Sequence, residues 1–154
     1  MLRSSVLSLM CLALAFAPAE AATKKITIGT PVAAITKQIS SIKEGDPALI
    51  EIVTVVPWPA SLTLASVQTP NGSIKAVSPT TTATSDDGTK RKQRHQFQIK
   101  SKTSPSGAYT LTFTSKVDPS SKGSDKFALA DGGPKTVKIS LAFESWSTTT
   151  VNAK

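Results

Sequence analysis

Apolar and polar residues alternate with a period of two along most of the chain, which is typical of strands with one buried face. Phe97 and Ile99 alternate with glutamine and lysine, and Leu111 and Phe113 alternate with threonine. The segment 48–56 is apolar or β-branched nearly throughout, as expected for a central strand covered on both faces. The pattern predicts strands at 24–29, 48–56, 61–68, 73–77, 93–102, 108–117 and 136–143.

Clusters of glycine, proline, asparagine and aspartate separate these segments and predict turns between them. The clusters lie at 44–47, 70–72, 86–88, 105–107 and 132–134. No convincing helical pattern falls between the strands. The sequence therefore predicts an all-β fold, an antiparallel β-sandwich of about seven strands.

Three segments are less clear. Residues 32–42 fit a helical stripe or a strand, and because their serines and threonines are weak helix formers we predict an edge strand. The connections 78–92 and 118–135 are long, and we expect loops there. Loops of such length are uncommon unless they are mobile or functional.

Three motifs carry a family resemblance. Glu-Gly-Asp at 44–46 leads into an apolar strand, Pro-Asn-Gly at 70–72 occupies a predicted hairpin, and 105–113 reads Pro-x-Gly-x-Tyr-x-Leu-x-Phe. This pattern resembles bacterial immunoglobulin-like envelope domains. The resemblance implies a sandwich in which Tyr109 closes a corner by bonding to upstream backbone. Unlike antibody-type domains, the chain has no cysteine pair, and Trp58 sits between prolines rather than inside a strand.

The N-terminus has the pattern of a secretory signal peptide. Arg3 precedes an apolar run at 6–17, and Ala-Glu-Ala at 19–21 supplies a small-x-small cleavage site. We predict cleavage before Ala22, which removes the only cysteine, and a single domain at 22–154. The protein is thus expected to be exported to the periplasm or the extracellular space. No other apolar run is long enough to predict a membrane span.

The chain is basic, with 18 Lys and Arg against 10 Asp and Glu and a net charge of +8. Such a surface attracts polyanions. The candidate anion-binding residues are Lys90, Arg91, Lys92, Arg94, Lys100 and Lys102, which would form a positive stripe on one edge or face. The alternative is that these charges guard an exposed strand against edge-to-edge aggregation. We do not expect a nucleic-acid partner, because Phe97 is the only aromatic residue near the run.

The chemistry available to the chain is narrow. Its single histidine, His95, follows a run of cations that disfavours the imidazolium a general base must form, so we expect an orienting or surface role. Aspartates 118, 125 and 131, and the pair 86–87, could bind calcium, but their spacing fits no calcium motif and turn formation is the preferred interpretation. We predict no cofactor, no metal and no enzymatic activity.

These observations leave three hypotheses of function. The first is a non-enzymatic exported interaction or structural module, such as an accessory subunit of an envelope complex or surface fibre. The second is a soluble binder of anionic glycan or lipid that uses the basic strand. The third, a small hydrolase, would depend on His95.

Overall fold

The structure, a computed structural model, describes residues 22–37, 41–117, 125–143 and 145–146. The regular elements of this part of the chain are all β-strands, which confirms the prediction of an all-β fold. Within those ranges no helix is long and apolar enough to cross a membrane. The predicted signal peptide, 1–21, lies outside them. The strands are β1 (Thr23–Ile26), β2 (Val32–Lys37), β3 (Ser41–Ile42), β4 (Ala48–Pro57), β5 (Ala60–Gln68), β6 (Ile74–Asp86), β7 (Lys90–Ser101), β8 (Gly107–Val117), β9 (Lys126–Leu129), β10 (Lys135–Leu141) and β11 (Ser145–Trp146).

Most of these strands belong to two antiparallel sheets. A four-stranded sheet has the order β2-β4-β7-β6, and a three-stranded sheet has the order β10-β8-β5. The remaining strands form two short parallel pairs, β1 with β9 and β3 with β11. The described chain therefore has more strands than the sequence predicts, and the additional ones are short.

The two antiparallel sheets share one hydrophobic core because each strand turns every second side chain towards the other sheet. Phe97 of β7 and Tyr109 of β8 are fully buried, and their rings lie 6.3 Å apart. Leu111 and Phe113 are buried on the same face of β8, as the alternation predicts. The core cluster takes residues from both sheets and from the N-terminal segment.

The segment 78–92, expected to be a loop, is a β-hairpin formed by the end of β6 and the start of β7. The Asp87 carboxylate accepts the backbone N–H of Thr89 at 2.9 Å and of Lys90 at 2.8 Å, and Gly88 has a positive φ of 85°. Those bonds hold the pKa of Asp87 at about 2. The threonine run is β-branched and suits a strand. Pro79 is tolerated because β6 is an edge strand that is irregular near Ser78, whose φ is 53°.

The two other unclear segments are described in part. β2 runs antiparallel to β4 at the edge of the four-stranded sheet, which confirms the edge-strand prediction for 32–37. Residues 38–40 and 118–124 lie outside the described chain. The rest of the second expected loop includes β9, whose apolar residues Phe127, Ala128 and Leu129 pair with β1.

Tyr109 closes a corner at the start of β8. Its hydroxyl donates a hydrogen bond of 2.5 Å to the carbonyl oxygen of Pro105, the bond that the family resemblance implies. Burial raises the pKa of Tyr109 to about 12, so the hydroxyl remains a donor at neutral pH. Gly107 has a φ of 142°, and a Cβ there would lie 2.7 Å from Pro70. The corner therefore packs closely against the 70–72 turn.

Candidate anion-binding surface

The alternation of β7 splits the basic run between the two faces of the four-stranded sheet. Lys90, Lys92, Arg94 and Lys100 point outward and are exposed, whereas Arg91 points inward and is only 6% exposed. β7 lies between β4 and β6, so its outward cations are on a sheet face rather than an edge. The alternative that they protect a sheet edge does not fit this position.

Arg91 makes its contacts inside the protein, beside the β6–β7 hairpin. Its guanidinium lies 3.4 Å from the Asp86 carboxylate and donates a hydrogen bond of 3.4 Å to the carbonyl oxygen of Pro59. The sequence predicts Arg91 in the positive stripe. Because its side chain is buried, Arg91 cannot contact an external ligand. A run of neighbouring cations cannot all reach one face of a strand.

Arg94 is paired within the outward face. Its Nε lies 3.4 Å from Oε1 of Glu51 on β4. The same carboxylate accepts hydrogen bonds from the side chains of Gln96, at 2.8 Å, and Thr36, at 2.9 Å. At the centre of the face, the Glu51 carboxylate therefore has several hydrogen-bond partners and balances the charge of Arg94.

Lys90 and Lys92, near the hairpin turn, also have acidic neighbours. They line a shallow pocket of about 310 Å³ together with Asp86 and Asp87. Asp86 is paired with Arg91 and Asp87 is bound to backbone N–H groups, so the two aspartates reduce the positive charge at this end of the face without cancelling it. The densest cationic run in the sequence is thus not the most positive part of the surface.

At the opposite end of the face, Lys100 and Lys102 are joined by Lys75 of β6. The three lysines line a pocket of about 500 Å³ with Gly45, Gly72, Ser73 and Ser101, and none of these lining residues is acidic. Lys75 and Lys100 are direct partners in the antiparallel register. We call this group the lysine pocket. Two of its lysines are among the candidates predicted from the sequence, whereas Lys75 is not, because its place beside Lys100 depends on the pairing of β6 with β7.

His95 is fully buried and is not a surface residue. Its Nε2 lies 2.7 Å from the hydroxyl of Thr54 and its Nδ1 lies 2.9 Å from the hydroxyl of Thr81. The ring packs edge-on to Phe113 of the other sheet, at 4.9 Å between ring centroids. Burial lowers the pKa of His95 to about 4, so it is neutral at physiological pH. Its two hydrogen bonds fix the ring between β4 and β6.

The described aspartates make local structural contacts. Asp125 forms an ion pair of 2.7 Å with Lys24. Asp131 pairs with Lys135 and accepts the backbone N–H groups of Ile28 and Gly29, and these bonds lower its pKa, the one from Lys135 most. Asp118 lies outside the described residues. Among those described, no group of three acids, histidines or cysteines could hold a metal ion.

Comparison with protein-family models and with curated proteins finds no match for this chain. Among the described residues, the lysine pocket is the strongest candidate for a binding site on the outward face.

Proposed function

We propose that this protein is an exported, non-enzymatic binding module that holds an anionic polysaccharide on the outward face of its four-stranded sheet. The proposed fold family is the immunoglobulin-like β-sandwich of bacterial envelope domains. Two antiparallel sheets that share one core, and the Tyr109 corner, support this assignment. The pattern of residues 1–21 supports action in the periplasm or outside the cell.

The observation that carries the proposal is the position of the lysine pocket at one end of an exposed row of cations. Lys92 and Lys100 lie on the same face of β7, eight residues and about 27 Å apart along the strand. A small anion cannot touch both. An extended polymer with repeated negative charges can, and the net charge of +8 would draw it towards the protein.

The rest of the face favours a sugar polymer over a lipid surface. Gln98, Thr80 and Ser85 are exposed on it and offer amide and hydroxyl groups that can hydrogen-bond to a glycan. Among the described residues, the exposed large apolar side chains are Val32 and Val77, on different strands. Membrane-surface binding normally uses a broader apolar face that enters the lipid.

Capture of the mature chain by an immobilised sulfated polysaccharide tests the proposal. Changing Lys92, Lys100 and Lys102 together to glutamine should abolish capture. The matched control changes Lys116, Lys126 and Lys138, which are exposed outside this face, and removes the same charge. Wild-type capture should weaken from low to physiological salt, where screening limits the field to about 8 Å.

Equal losses in the two triple variants would mean that only net charge matters, and the proposed binding face would be wrong. Capture by anionic lipid vesicles but not by polysaccharide would replace the glycan with a lipid surface.

A second candidate function, as an accessory subunit of an envelope complex, is favoured by the position of β2. This strand forms an edge of the four-stranded sheet, and Val32 on it is 69% exposed. A strand from another envelope protein could extend the sheet there. Ala34→Pro should then prevent crosslinking to that protein in intact cells without affecting polysaccharide capture. Unchanged crosslinking would exclude the β2 edge as the contact.

A further inference from the structure

We propose that the lysine pocket is a specific site for one tetrahedral oxyanion, a phosphate or sulfate group carried by a sugar of the bound polymer. The inference rests on the proposed function for the source of its ligand. It goes further in naming the chemical group that is recognised and the residues that recognise it.

Two lysines of the pocket are directly paired across neighbouring strands. Lys75 and Lys100 face each other across β6 and β7, on the outward side of the sheet. Directly opposed side chains have Cβ atoms about 4.5–5.5 Å apart, and like charges in such pairs are destabilising. Across the described part of the chain, no carboxylate forms an ion pair with either ammonium group. An anion between the two lysines would convert their repulsion into two attractions.

A third cation, Lys102, lines the same pocket. Lys102 follows Lys100 by two residues, and both line the pocket with Lys75. Glu44 and Asp46 flank Gly45 in the sequence but do not line the pocket, and among the described residues no ion pair joins their carboxylates to these lysines. The pocket thus collects three positive charges and has no internal counterion among the described residues.

A network of hydroxyl groups lies beside the lysines at the wall of the pocket. Ser73 lies 2.8 Å from Thr103 between hydroxyl oxygens, and Thr103 lies 3.3 Å from the hydroxyl of Ser101. The Ser73 hydroxyl also bonds to the side chain of Asn71 at 2.5 Å, which fixes the turn above the pocket. Each hydroxyl proton is already used within this chain of hydrogen bonds, so the network fixes the wall of the pocket and leaves the three ammonium groups to bind the anion.

The geometry favours a tetrahedral oxyanion over a carboxylate. Three ammonium groups from separate positions require oxygens that point in different directions, whereas a carboxylate offers two in one plane. A phosphate monoester also carries about −1.5 to −2 charge at neutral pH. The pocket, at about 500 Å³, is large enough to admit the sugar that bears the group.

The test is a titration of the mature chain with inorganic phosphate, sulfate and acetate at constant ionic strength, followed by the backbone amide signals of Ser73, Ser101 and Lys102. Phosphate and sulfate should give saturable shifts at these amides, and acetate should not. Lys75→Gln and Lys100→Gln should each weaken binding by about tenfold. The control Lys116→Gln, on the other sheet, should leave it unchanged.

Parallel titrations with glucose 6-phosphate and glucose 6-sulfate distinguish the two sources of the group. Tighter binding of either sugar than of its free anion supports a site that takes the sugar as well. Shifts that never saturate, or that persist in both pocket variants, overturn the inference. So does equal binding of acetate.

The test separates this inference from the proposed function. Polysaccharide capture without saturable phosphate or sulfate binding would overturn the pocket site and leave the proposed function standing. Saturable binding of these anions without polysaccharide capture would support the pocket site and overturn the proposed polymer. The absence of both would overturn both.

Discussion

Gln93 offers the sharpest test of how the two sheets are joined. β5 is an edge strand of the three-stranded sheet, and its Leu62 backbone points away from β8. The Leu62 N–H donates to Oε1 of Gln93 at 2.6 Å, and Nε2 of Gln93 donates to the Leu62 carbonyl at 3.0 Å. Gln93 is only 4% exposed. The side-chain amide of Gln93 therefore makes the two hydrogen bonds with Leu62 that a neighbouring strand would otherwise make.

Gln93→Leu keeps a side chain of similar size but removes both hydrogen bonds. Each buried backbone group left unpaired costs about 1–3 kcal/mol, so the loss from the two is roughly 2–6 kcal/mol. Burying a leucine offsets about 1.5–3 kcal/mol of this loss. We expect the free energy of unfolding to fall by about 2 kcal/mol.

Urea denaturation measures this change. With a slope of about 1–3 kcal/mol per molar urea, the midpoint should fall by roughly 1 M. Gln98→Leu is the matched control, because Gln98 lies on the same strand but is exposed on the opposite face. It should change stability by no more than about 0.5 kcal/mol. An unchanged midpoint for Gln93→Leu, or equal effects of the two changes, would refute the role assigned to this amide.

Three further changes test other parts of the molecule. Tyr109→Phe removes the hydrogen bond to Pro105, so the free energy of unfolding should fall by about 1 kcal/mol, and an unchanged urea midpoint would contradict this. Burial holds the pKa of His95 at about 4, below its ordinary value of 6.5. The unfolded chain therefore binds the proton first, and stability should decline as pH falls from 6.5 towards 4. His95→Gln should flatten this decline in urea midpoints, and equal slopes would count against the buried neutral ring. Lys75→Glu creates an ion pair with Lys100 and should raise stability at low salt by about 0.2–1 kcal/mol; a lower midpoint would argue against the register.

The core was predictable from the sequence because alternation directly reports which side chains are buried. Phe97, Ile99, Leu111 and Phe113 are all fully buried, as the period of two requires. The segment 78–92 was not predictable in the same way. Ala83 is the only apolar side chain among its threonines, so a strand at the sheet edge gives nearly the same pattern as a polar loop.

The candidate site was predictable only in part because it depends on strand register. Counting outward from the predicted 86–88 turn places Lys75 opposite Lys102 when β6 is regular. Irregularities in β6 on both sides of Thr80 shift the pairing by two residues, to Lys100. Charge density in the sequence pointed instead to the run at 90–94. There, strand geometry buries Arg91 and the fold supplies acidic neighbours to the others.

The position of β7 explains how one strand can serve both the interior and the proposed binding face. Its inward polar side chains, Gln93 among them, hold the edge of the other sheet, and its outward lysines are fixed at regular spacing by a neighbouring strand on each side. Cations on a loop would lose more conformational freedom when a ligand orders them. A central strand has already lost that freedom during folding. Repulsion between the opposed Lys75 and Lys100 then lowers the stability of the free protein, and a bound anion removes this repulsion. If so, Lys75→Glu should stabilise the free protein and weaken binding together, whereas a lysine pair with no ligand would show only the gain in stability.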